Sequence, residues 1–416
     1  MRQQNDNAVC RVAWAAVALI ALVAGGCATG SATASGPASV ESERSVAPTS
    51  YLTLASTSVM TSAPTYAPPG KFVPTGSMTM GRDSASATLL LDGRVLVAGG
   101  EGYEAALSAE LYDPKTGTFS KTGSMTRGHE VGTATLLQDG RVLVVGGWEY
   151  VNPTDRQESG SADLYDAKTG TFTSTGPLPA ARHFHTATRL LDGRVLIAGG
   201  ETPSEGMGTA TAELYDPKTG TFSPTGSMTR ARIFHTATLL SDGRVLIAGG
   251  NFDNSAEIYD PATGTFHATG SMGFSQMADH VSTLLNDGRV LVVSGQAAEL
   301  YDPSTGKFSP TGAPLNYCFC SGPIGTPVTA PLLSDGRVLV PDQGSAELYD
   351  PITGTFSQVG PMNSPHYGFT DTLLSDGRVL FAGDEGPICA MGCPSLSPSA
   401  AASVLADRSA AELYIP

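Results

Sequence analysis

The sequence has few charged residues, and most of those it has are acidic. Only 15% of its 416 residues are charged, and 24 Lys and Arg stand against 39 Asp and Glu, a formal net charge of −15. A nucleic-acid-binding protein needs a basic stripe that displaces phosphate counterions, so this charge argues against that class. The scarcity of charge also argues against a long helical bundle, whereas 49 Gly and 28 Pro indicate the many turns of a β protein.

The N-terminal apolar run, residues 12–24, is too short to span a bilayer but is typical of a signal peptide. Arg2 and Arg11 precede the run, and two glycines and Cys27 follow it. Small residues before a cysteine resemble a bacterial lipobox, which implies cleavage before Cys27 and a lipid on its sulfur. We therefore predict a lipoprotein signal peptide at residues 1–26, with an ordinary cleavable signal peptide and an incidental cysteine as the alternative.

The mature chain is then expected in the bacterial cell envelope, held to the membrane only through its lipid anchor. Ala28 follows the cysteine, where an Asp would favour retention in the inner membrane, so we expect the outer membrane. Residues 27–70 are rich in Ala, Ser, Thr and Pro and have no periodic apolar pattern. This composition predicts a disordered tether between the lipid and a folded domain at 71–416.

The folded part repeats one pattern seven times. The string Asp-Gly-Arg-Val recurs at steps of 41 to 53 residues, a period that indicates a repeat architecture. It begins at Asp92, Asp139, Asp192, Asp242, Asp287, Asp335 and Asp376. A second string, usually Glu-Leu-Tyr-Asp-Pro, and a third, usually Thr-Gly-Thr-Phe, also occur seven times each.

Each repeat predicts four short strands. In one copy, residues 236–240 form an apolar strand, Asp242-Gly243 is typical of a type I′ hairpin turn, and residues 245–248 form the second strand. The third strand covers residues 256–259, and the fourth begins at Thr265. The inner strands are apolar on both faces, which is typical of sheets that pack between neighbouring sheets.

The order of the strings predicts how the domain closes. It opens with a lone fourth strand around Phe72 and ends just after a third strand at residues 412–414. Together these two fragments complete one sheet and remove an open edge. We therefore predict an all-β fold, a seven-bladed β-propeller of four-stranded blades in which the two ends of the chain share the last blade.

At this point the sequence resembles the kelch-repeat family, in its bacterial, galactose-oxidase-like branch. The resemblance covers about residues 71–416 and depends on double glycines followed by the tyrosine and a further aromatic residue. The double glycines are at 99–100, 146–147, 199–200 and 249–250. The sequence departs from the family pattern in two ways: phenylalanine replaces the fourth-strand tryptophan in every copy, and the double glycine is lost in the last three blades.

Variable segments gather on one rim. This rim carries the 2–3 connections within each blade and the 4–1 connections, which join neighbouring blades. Two of these connections are unusually long: residues 315–335 and 384–412. Insertions on one face of a repeat protein often mark a binding face. The longer segments contain Tyr317 and Phe319, which we expect to serve as a ligand platform.

The same two segments contain four cysteines, Cys318, Cys320, Cys389 and Cys393. Outside the cytoplasm they are expected to form two disulfides, with the pairing open, and a zinc site is the rival interpretation. The disulfides either make the ligand platform rigid or only hold long loops in place.

A second candidate cluster comprises Arg182, His185, Arg232, His235 and His280. The three histidines each lie seven residues before an Asp-Gly pair, so three consecutive blades begin their first strand with histidine. They could bind a metal, but the pattern places no acidic ligand beside them, so we predict no metal or other cofactor. The structural interpretation is that these residues tie the 4–1 connections to neighbouring blades.

Three classes of function remain after these considerations. The first, which we favour, is a monomeric, non-catalytic surface lipoprotein that binds a protein or a glycan through the variable rim. The second follows from the resemblance: a copper-radical oxidase, whose metal would need two tyrosines, two histidines and a tyrosine–cysteine cross-link. The third is a structural envelope scaffold, because propellers host many unrelated functions. No residue is predicted to be catalytic.

Overall fold

The computed structural model describes most of the predicted domain. The described residues are 69–204, 206, 208–251, 253–274, 280–295, 297–315, 329–342, 344–364, 366, 368–383 and 409–416. The predicted signal peptide, with Cys27, and the predicted tether up to residue 68 therefore lie outside them. No helix within the described ranges is long and apolar enough to cross a membrane.

The described residues form 29 strands and one short helix, α1 (Tyr103–Leu107). The strands in chain order are β1 (Lys71–Pro74), β2 (Ser86–Leu89), β3 (Val95–Ala98), β4 (Ala109–Asp113), β5 (Thr118–Lys121), β6 (Thr133–Leu136), β7 (Val142–Val145), β8 (Trp148–Asn152), β9 (Asp155–Glu158), β10 (Ala162–Asp166), β11 (Thr171–Ser174), β12 (Thr186–Arg189), β13 (Val195–Ala198), β14 (Ala212–Asp216), β15 (Thr221–Pro224), β16 (Thr236–Leu239), β17 (Val245–Ala248), β18 (Ala256–Asp260), β19 (Thr265–Ala268), β20 (His280–Leu284), β21 (Val290–Ser294), β22 (Ala297–Asp302), β23 (Lys307–Pro310), β24 (Val338–Pro341), β25 (Ala346–Asp350), β26 (Thr355–Gln358), β27 (Thr370–Leu373), β28 (Val379–Ala382) and β29 (Ala411–Ile415).

These strands confirm the predicted seven-bladed propeller. Blades one to five are antiparallel four-stranded sheets that follow chain order from β2 to β23, with the hairpin β8–β9 inserted in blade two. Blade six shows β24, β25 and β26, and its innermost position holds residues 329–333, where Leu332 bridges Val338. The first strands of neighbouring blades contact one another and surround the central channel.

The predicted closure of blade seven is also confirmed. Its strand order is β1-β29-β28-β27, so the first strand of the chain is the outermost strand of the last blade. The register pairs Phe72 with Tyr414, and the Phe72 ring lies 5.4 Å from the Tyr414 ring and 5.5 Å from that of Phe381. The ring of blades is thus closed by backbone hydrogen bonds and a buried aromatic cluster between the two ends of the domain.

The apolar second strands explain how the blades adhere. All four residues of β13 are buried, and alternate side chains leave opposite faces of the sheet. Leu196 packs in one apolar cluster with Val245 of blade four, whereas Val195 packs in another with Leu143 of blade two. Each blade therefore buries both faces, as the absence of polar alternation predicted.

The Asp-Gly hairpins differ from the predicted turn type. In the copy at Asp242, Gly243 N–H donates to the Leu240 carbonyl at 3.0 Å and Leu240 N–H to the Arg244 carbonyl at 2.8 Å. Gly243 has φ of +89°, while Asp242 does not have positive φ, so the loop has three residues with glycine in the bulge position. The type I′ prediction is wrong because the glycine follows a type I turn instead of lying inside a two-residue one.

A repeated hydrogen bond connects the outer part of each blade to the next. The third-strand tyrosine hydroxyl meets a threonine just after the fourth strand of the preceding blade, at 2.8 to 3.1 Å. The pairs are Thr75–Tyr112, Thr122–Tyr165, Thr175–Tyr215, Thr225–Tyr259, Thr269–Tyr301 and Thr311–Tyr349. In the closing blade, Tyr414 instead accepts a hydrogen bond from Gly70 N–H at 3.2 Å.

We expect Phe72→Ala to open blade seven selectively. The substitution removes a buried aromatic side chain and should cost about 3–5 kcal/mol of unfolding free energy. The matched control is Phe172→Ala, whose phenylalanine is as buried but lies on a strand joined to its neighbour by a short turn. Hydrogen exchange of residues 411–415 should accelerate far more in Phe72→Ala than in the control. Equal acceleration in both variants would contradict the closure.

Candidate functional site

The central channel opens into a cavity where the first strands begin. The cavity has a volume of about 370 Å³ and lies on the rim of the 4–1 and 2–3 connections. Its wall is made mainly of threonine, serine and alanine side chains from the first strands, with Phe184, Phe234 and Asp371 at its border. We call the part of this opening lined by Val131, Phe184 and Phe234 the mouth.

Two phenylalanines at the mouth have an unusual backbone. The residue eight positions before the Asp-Gly pair has φ of +55° to +56° in five blades: Ser84, Val131, Phe184, Phe234 and Gly368. This left-handed conformation suits glycine but is a steric outlier for a bulky residue and typically costs about 1–3 kcal/mol. The rings of Phe184 and Phe234 are half-buried, 4.5 Å apart at their centroids, and both line the cavity.

The predicted histidines lie one residue further along and bind the preceding blades. His185 Nε2 is 3.0 Å from Thr133 Oγ1, His235 Nε2 is 3.0 Å from Thr186 Oγ1, and His280 Nε2 is 3.0 Å from the Ala248 carbonyl. Burial lowers the pKa of His235 to about 3 and of His280 to about 4, and burial also holds the pKa of His185 far below its usual range. All three rings are therefore neutral at neutral pH.

The double glycines make room for these rings. A Cβ on Gly146 would lie 2.6 Å from His185 Cε1, and a Cβ on Gly199 would lie 2.7 Å from His235 Cε1. No side chain larger than hydrogen fits at either position without displacing the neighbouring blade. The glycine and histidine motifs thus form one contact between adjacent blades, which agrees with the structural interpretation of the histidines.

Arg182 and Arg232 lie beneath the rim. Arg182 Nη2 donates to Glu213 Oε1 at 2.7 Å, Arg232 Nη2 donates to Glu257 Oε1 at 2.9 Å, and both guanidinium groups are buried. Each also donates to backbone carbonyls in its own blade. Neither side chain is available to a ligand, so their position serves to fix the 4–1 connections.

Three equivalent residues were missed from the sequence. Arg82, His129 and His366 also lie ten residues before an Asp-Gly pair and face a carboxylate on the third strand of their own blade. The partners are Glu110, Asp163 and Glu412. The constant spacing of ten residues is the signal that could have found them, since in these five blades the position holds either arginine or histidine.

An acidic side chain also borders the cavity. Asp371 on β27 accepts hydrogen bonds from the backbone N–H of Thr329, at 2.6 Å, and from the Thr329 hydroxyl. Burial raises the pKa of Asp371 to about 6 although both hydrogen bonds favour the charged form. The cavity wall therefore holds a carboxyl group that titrates close to neutral pH.

The 2–3 connection of blade two forms a second feature that was missed. Its strands β8 and β9 make a hairpin, which we call the blade-two hairpin, beside the mouth. Trp148 on this hairpin packs on His183, with ring centroids 4.2 Å apart, and Tyr150 meets Tyr103 of α1 edge to face at 6.4 Å. The spacing of sixteen from Gly147 to Asp163 was a visible signal, although blade seven has a longer insertion.

The remaining predicted site residues fall outside the described ranges. They are Tyr317, Cys318, Phe319, Cys320, Cys389 and Cys393. Their roles as a ligand platform and as disulfides stay predictions. Among the described residues, no group of three or more His, Cys, Asp and Glu side chains converges in a way that could hold a metal ion.

Comparisons with known proteins show the fold. No family model and no curated protein matches the sequence. Among solved structures, the chain is similar to a fungal alcohol oxidase of the AA5 family in complex with copper, with 20% sequence identity and a TM-score of 0.63. The similarity covers 84% of this chain and 77% of that one. At this identity the likeness shows a shared propeller architecture.

The described side chains do not supply the copper ligands that such an oxidase would need. The third-strand tyrosines are buried, and their hydroxyls bind threonine or, in Tyr414, the backbone of Gly70. His185, His235 and His280 use Nε2 to bind the preceding blades. Tyr103 and Tyr150 lie at the rim without a histidine pair or a described cysteine beside them.

We expect Asp371→Asn to stabilise the protein above pH 6. A carboxyl whose pKa is raised in the folded state loses its favourable contribution as the pH rises from about 4 to about 6. At about 1.4 kcal/mol per pKa unit the gain above pH 6 should reach at most about 3 kcal/mol and should vanish below pH 4. Urea unfolding at several pH values measures this. The exposed Asp376→Asn is the control, and a gain independent of pH would contradict the assignment.

Replacement of Arg182 should cost stability instead of affinity for a ligand. Arg182→Gln leaves the buried Glu213 carboxylate without its cation, which typically costs about 3–5 kcal/mol. Arg194→Gln is the matched control, because Arg194 forms an exposed pair with Asp192 worth at most about 1 kcal/mol. Equal thermal shifts for the two variants would show that the buried pair has no special role.

Proposed function

We propose that the protein is a non-catalytic, kelch-type lipoprotein of the bacterial cell envelope that binds a protein or a glycan through the rim of the 4–1 and 2–3 connections. The observation that carries this proposal is the pair Phe184 and Phe234, held in left-handed backbone at the border of an open cavity. The left-handed φ recurs at this position in five blades, so what distinguishes blades three and four is that each places an aromatic side chain there, facing the cavity.

The character of the two side chains supports binding. Half-buried aromatic rings at a concave surface are typical anchor residues, since they offer a large contact area with few rotatable bonds. Blade seven has Gly368 at the equivalent position, which satisfies the backbone without strain. Two phenylalanines are therefore not what the fold alone would need there.

The opposite rim is uniform, which supports placing the ligand on the rim of the 4–1 and 2–3 connections. Its Asp-Gly turns repeat one hydrogen-bond pattern, in which the aspartate accepts from the backbone and side chain of the arginine two residues later. Turn chemistry accounts for these residues in every described copy. Differences between the blades gather at the mouth, where a ligand would be selected.

The second candidate is an oxidase. It is favoured by the structural likeness to the fungal alcohol oxidase, whose printed description includes copper. Metal analysis of the purified protein after copper loading, together with peroxide release from primary alcohols, tests this alternative. Stoichiometric copper with peroxide release would replace the binding proposal, and a scaffold role would leave both assays and all ligand assays negative.

We expect the double variant Phe184→Gly/Phe234→Gly to lose ligand binding without losing stability. Glycine accepts the left-handed backbone, so relief of strain should offset the lost ring contacts to within about 1–2 kcal/mol. Removal of two aromatic anchors should weaken binding by about tenfold or more, equivalent to at least about 1.4 kcal/mol. A glycan array and pull-downs with defined envelope proteins provide the binding measurement.

The control for this pair is Leu191→Ala, which removes an exposed side chain from the opposite rim. It should leave ligand binding unchanged. Binding that survives the double glycine variant but falls in Leu191→Ala would place the ligand on the other rim and overturn the proposal.

A further inference from the structure

The blade-two hairpin holds an arginine in an aromatic and acidic setting. The Arg156 guanidinium lies 5.0 Å from the centroid of the Trp148 ring, within the range of a cation–π interaction. The same guanidinium donates to Glu130 Oε1. The side chain is 44% exposed, whereas that of Glu130 is 6% exposed. Glu130 is thus a buried carboxylate whose cation comes from an exposed arm.

The carboxylate belongs to the residue directly before Val131, which lines the mouth. Glu130 and Trp148 form an antiparallel bridge, with Glu130 N–H 3.0 Å from the Trp148 carbonyl. Burial raises the pKa of Glu130, and the charge of Arg156 opposes that rise. The Tyr150 hydroxyl is also close enough to hydrogen-bond the Glu130 carboxylate, so this carboxylate lies between a phenol and the Arg156 guanidinium.

The surroundings favour a cation over an anion. Glu101 is close enough to influence both Glu130 and Arg156, and Glu201 lies 3.6 Å from His183. Burial, with the charge of Arg156, lowers the pKa of His183 to about 3, so the ring beside Trp148 is neutral at neutral pH. Apart from Arg156, the side chains described above around Glu130 and Trp148 are thus aromatic, neutral or acidic.

The arm that carries Arg156 is held at its base, where Trp148 bridges Glu130 and Tyr150 packs on Tyr103. A two-stranded hairpin has marginal stability by itself, and the residues between Val151 and Gln157 are exposed. Its hydrogen bonds near the tip are local ones, such as those from Thr154 and Asp155 to Asn152 Oδ1. Displacement of the guanidinium would leave the Trp148 face and the Glu130 carboxylate open beside the mouth.

We infer that Glu130 and Trp148 form a binding site for an arginine side chain of a basic protein segment, and that Arg156 occupies this site as an internal stand-in. A guanidinium from the partner would take both contacts of Arg156, one to the carboxylate and one to the ring. This inference rests on the proposed function, because it names the chemistry of the partner that the rim receives.

The test uses an octa-arginine peptide and three variants of the full chain in a Trp14→Phe background, which leaves Trp148 as the one tryptophan. Arg156→Ala should bind the peptide about tenfold more tightly than the parent, with a change in Trp148 fluorescence. Arg156→Ala/Glu130→Gln should lose that gain. Arg230→Ala removes the same charge from an exposed pair with Asp253 and should show no comparable gain.

Three results would overturn the inference. Equal gains in peptide affinity in Arg156→Ala and Arg230→Ala would show that the peptide is attracted by the overall charge. A gain in affinity that persists after Glu130→Gln would show that the carboxylate is not part of the site. No gain in Arg156→Ala would show that Arg156 does not block a site. If the Glu130 variant melts early, Arg156→Ala/Trp148→Leu measured by calorimetry takes its place. If the peptide test fails while the Phe184→Gly/Phe234→Gly variant still loses ligand binding, the arginine-bearing partner is rejected and the proposed function is retained.

Discussion

The structure depends on one joint, the pairing of β1 with β29. Every other neighbour in the ring is joined by continuous chain as well as by packing, whereas blade seven is assembled from segments more than 330 residues apart. The register that pairs Phe72 with Tyr414 decides which side chains of β1 are buried, because a slip of one residue would turn each of them to the other face. The cavity and its mouth exist only when the first strands stand side by side around the axis. A local pairing at the outer edge thus determines the geometry of the centre.

The fold could be predicted because its determinants recur within each repeat. Apolar strands, turn residues and the third-strand tyrosine occupy constant places, and the split blade follows from counting which string comes first and last. The bounds 245–248 of β17 agree with the prediction residue for residue. The turn type was misread because a dipeptide does not tell whether the glycine lies inside a turn or follows it. That difference depends on the pairing of the flanking residues.

The site was harder to predict because four adjacent residues have four different environments. Arg182 is buried in an ion pair, His183 packs on Trp148, Phe184 lines the cavity and His185 binds blade two. Phe184 and His185 both line the cavity, so spacing alone cannot say which of the two side chains is already held by a neighbouring blade. The sequence therefore drew attention to histidine and arginine, the residues with recognisable chemistry, although their chemistry is used to hold blades together. The sequence analysis gave the phenylalanine between them no role.

The two rims differ because the fold uses them differently. The threonine–tyrosine and glycine–glycine hydrogen bonds join the end of the fourth strand of one blade to the third-strand tyrosine and the 3–4 turn of the next. A change there would have to be matched in the neighbouring blade, which keeps the repeats uniform. The connections above the cavity vary in length, and the contacts that recur in their described parts are the buried pairs with third-strand carboxylates and the histidine contacts. The Glu130 carboxylate, whose cation comes from an exposed arginine, and the half-buried phenylalanines are found at that rim. Residues that hold neighbouring blades together are constrained to repeat. The mouth is therefore the part of the propeller whose residues can be specific to a ligand.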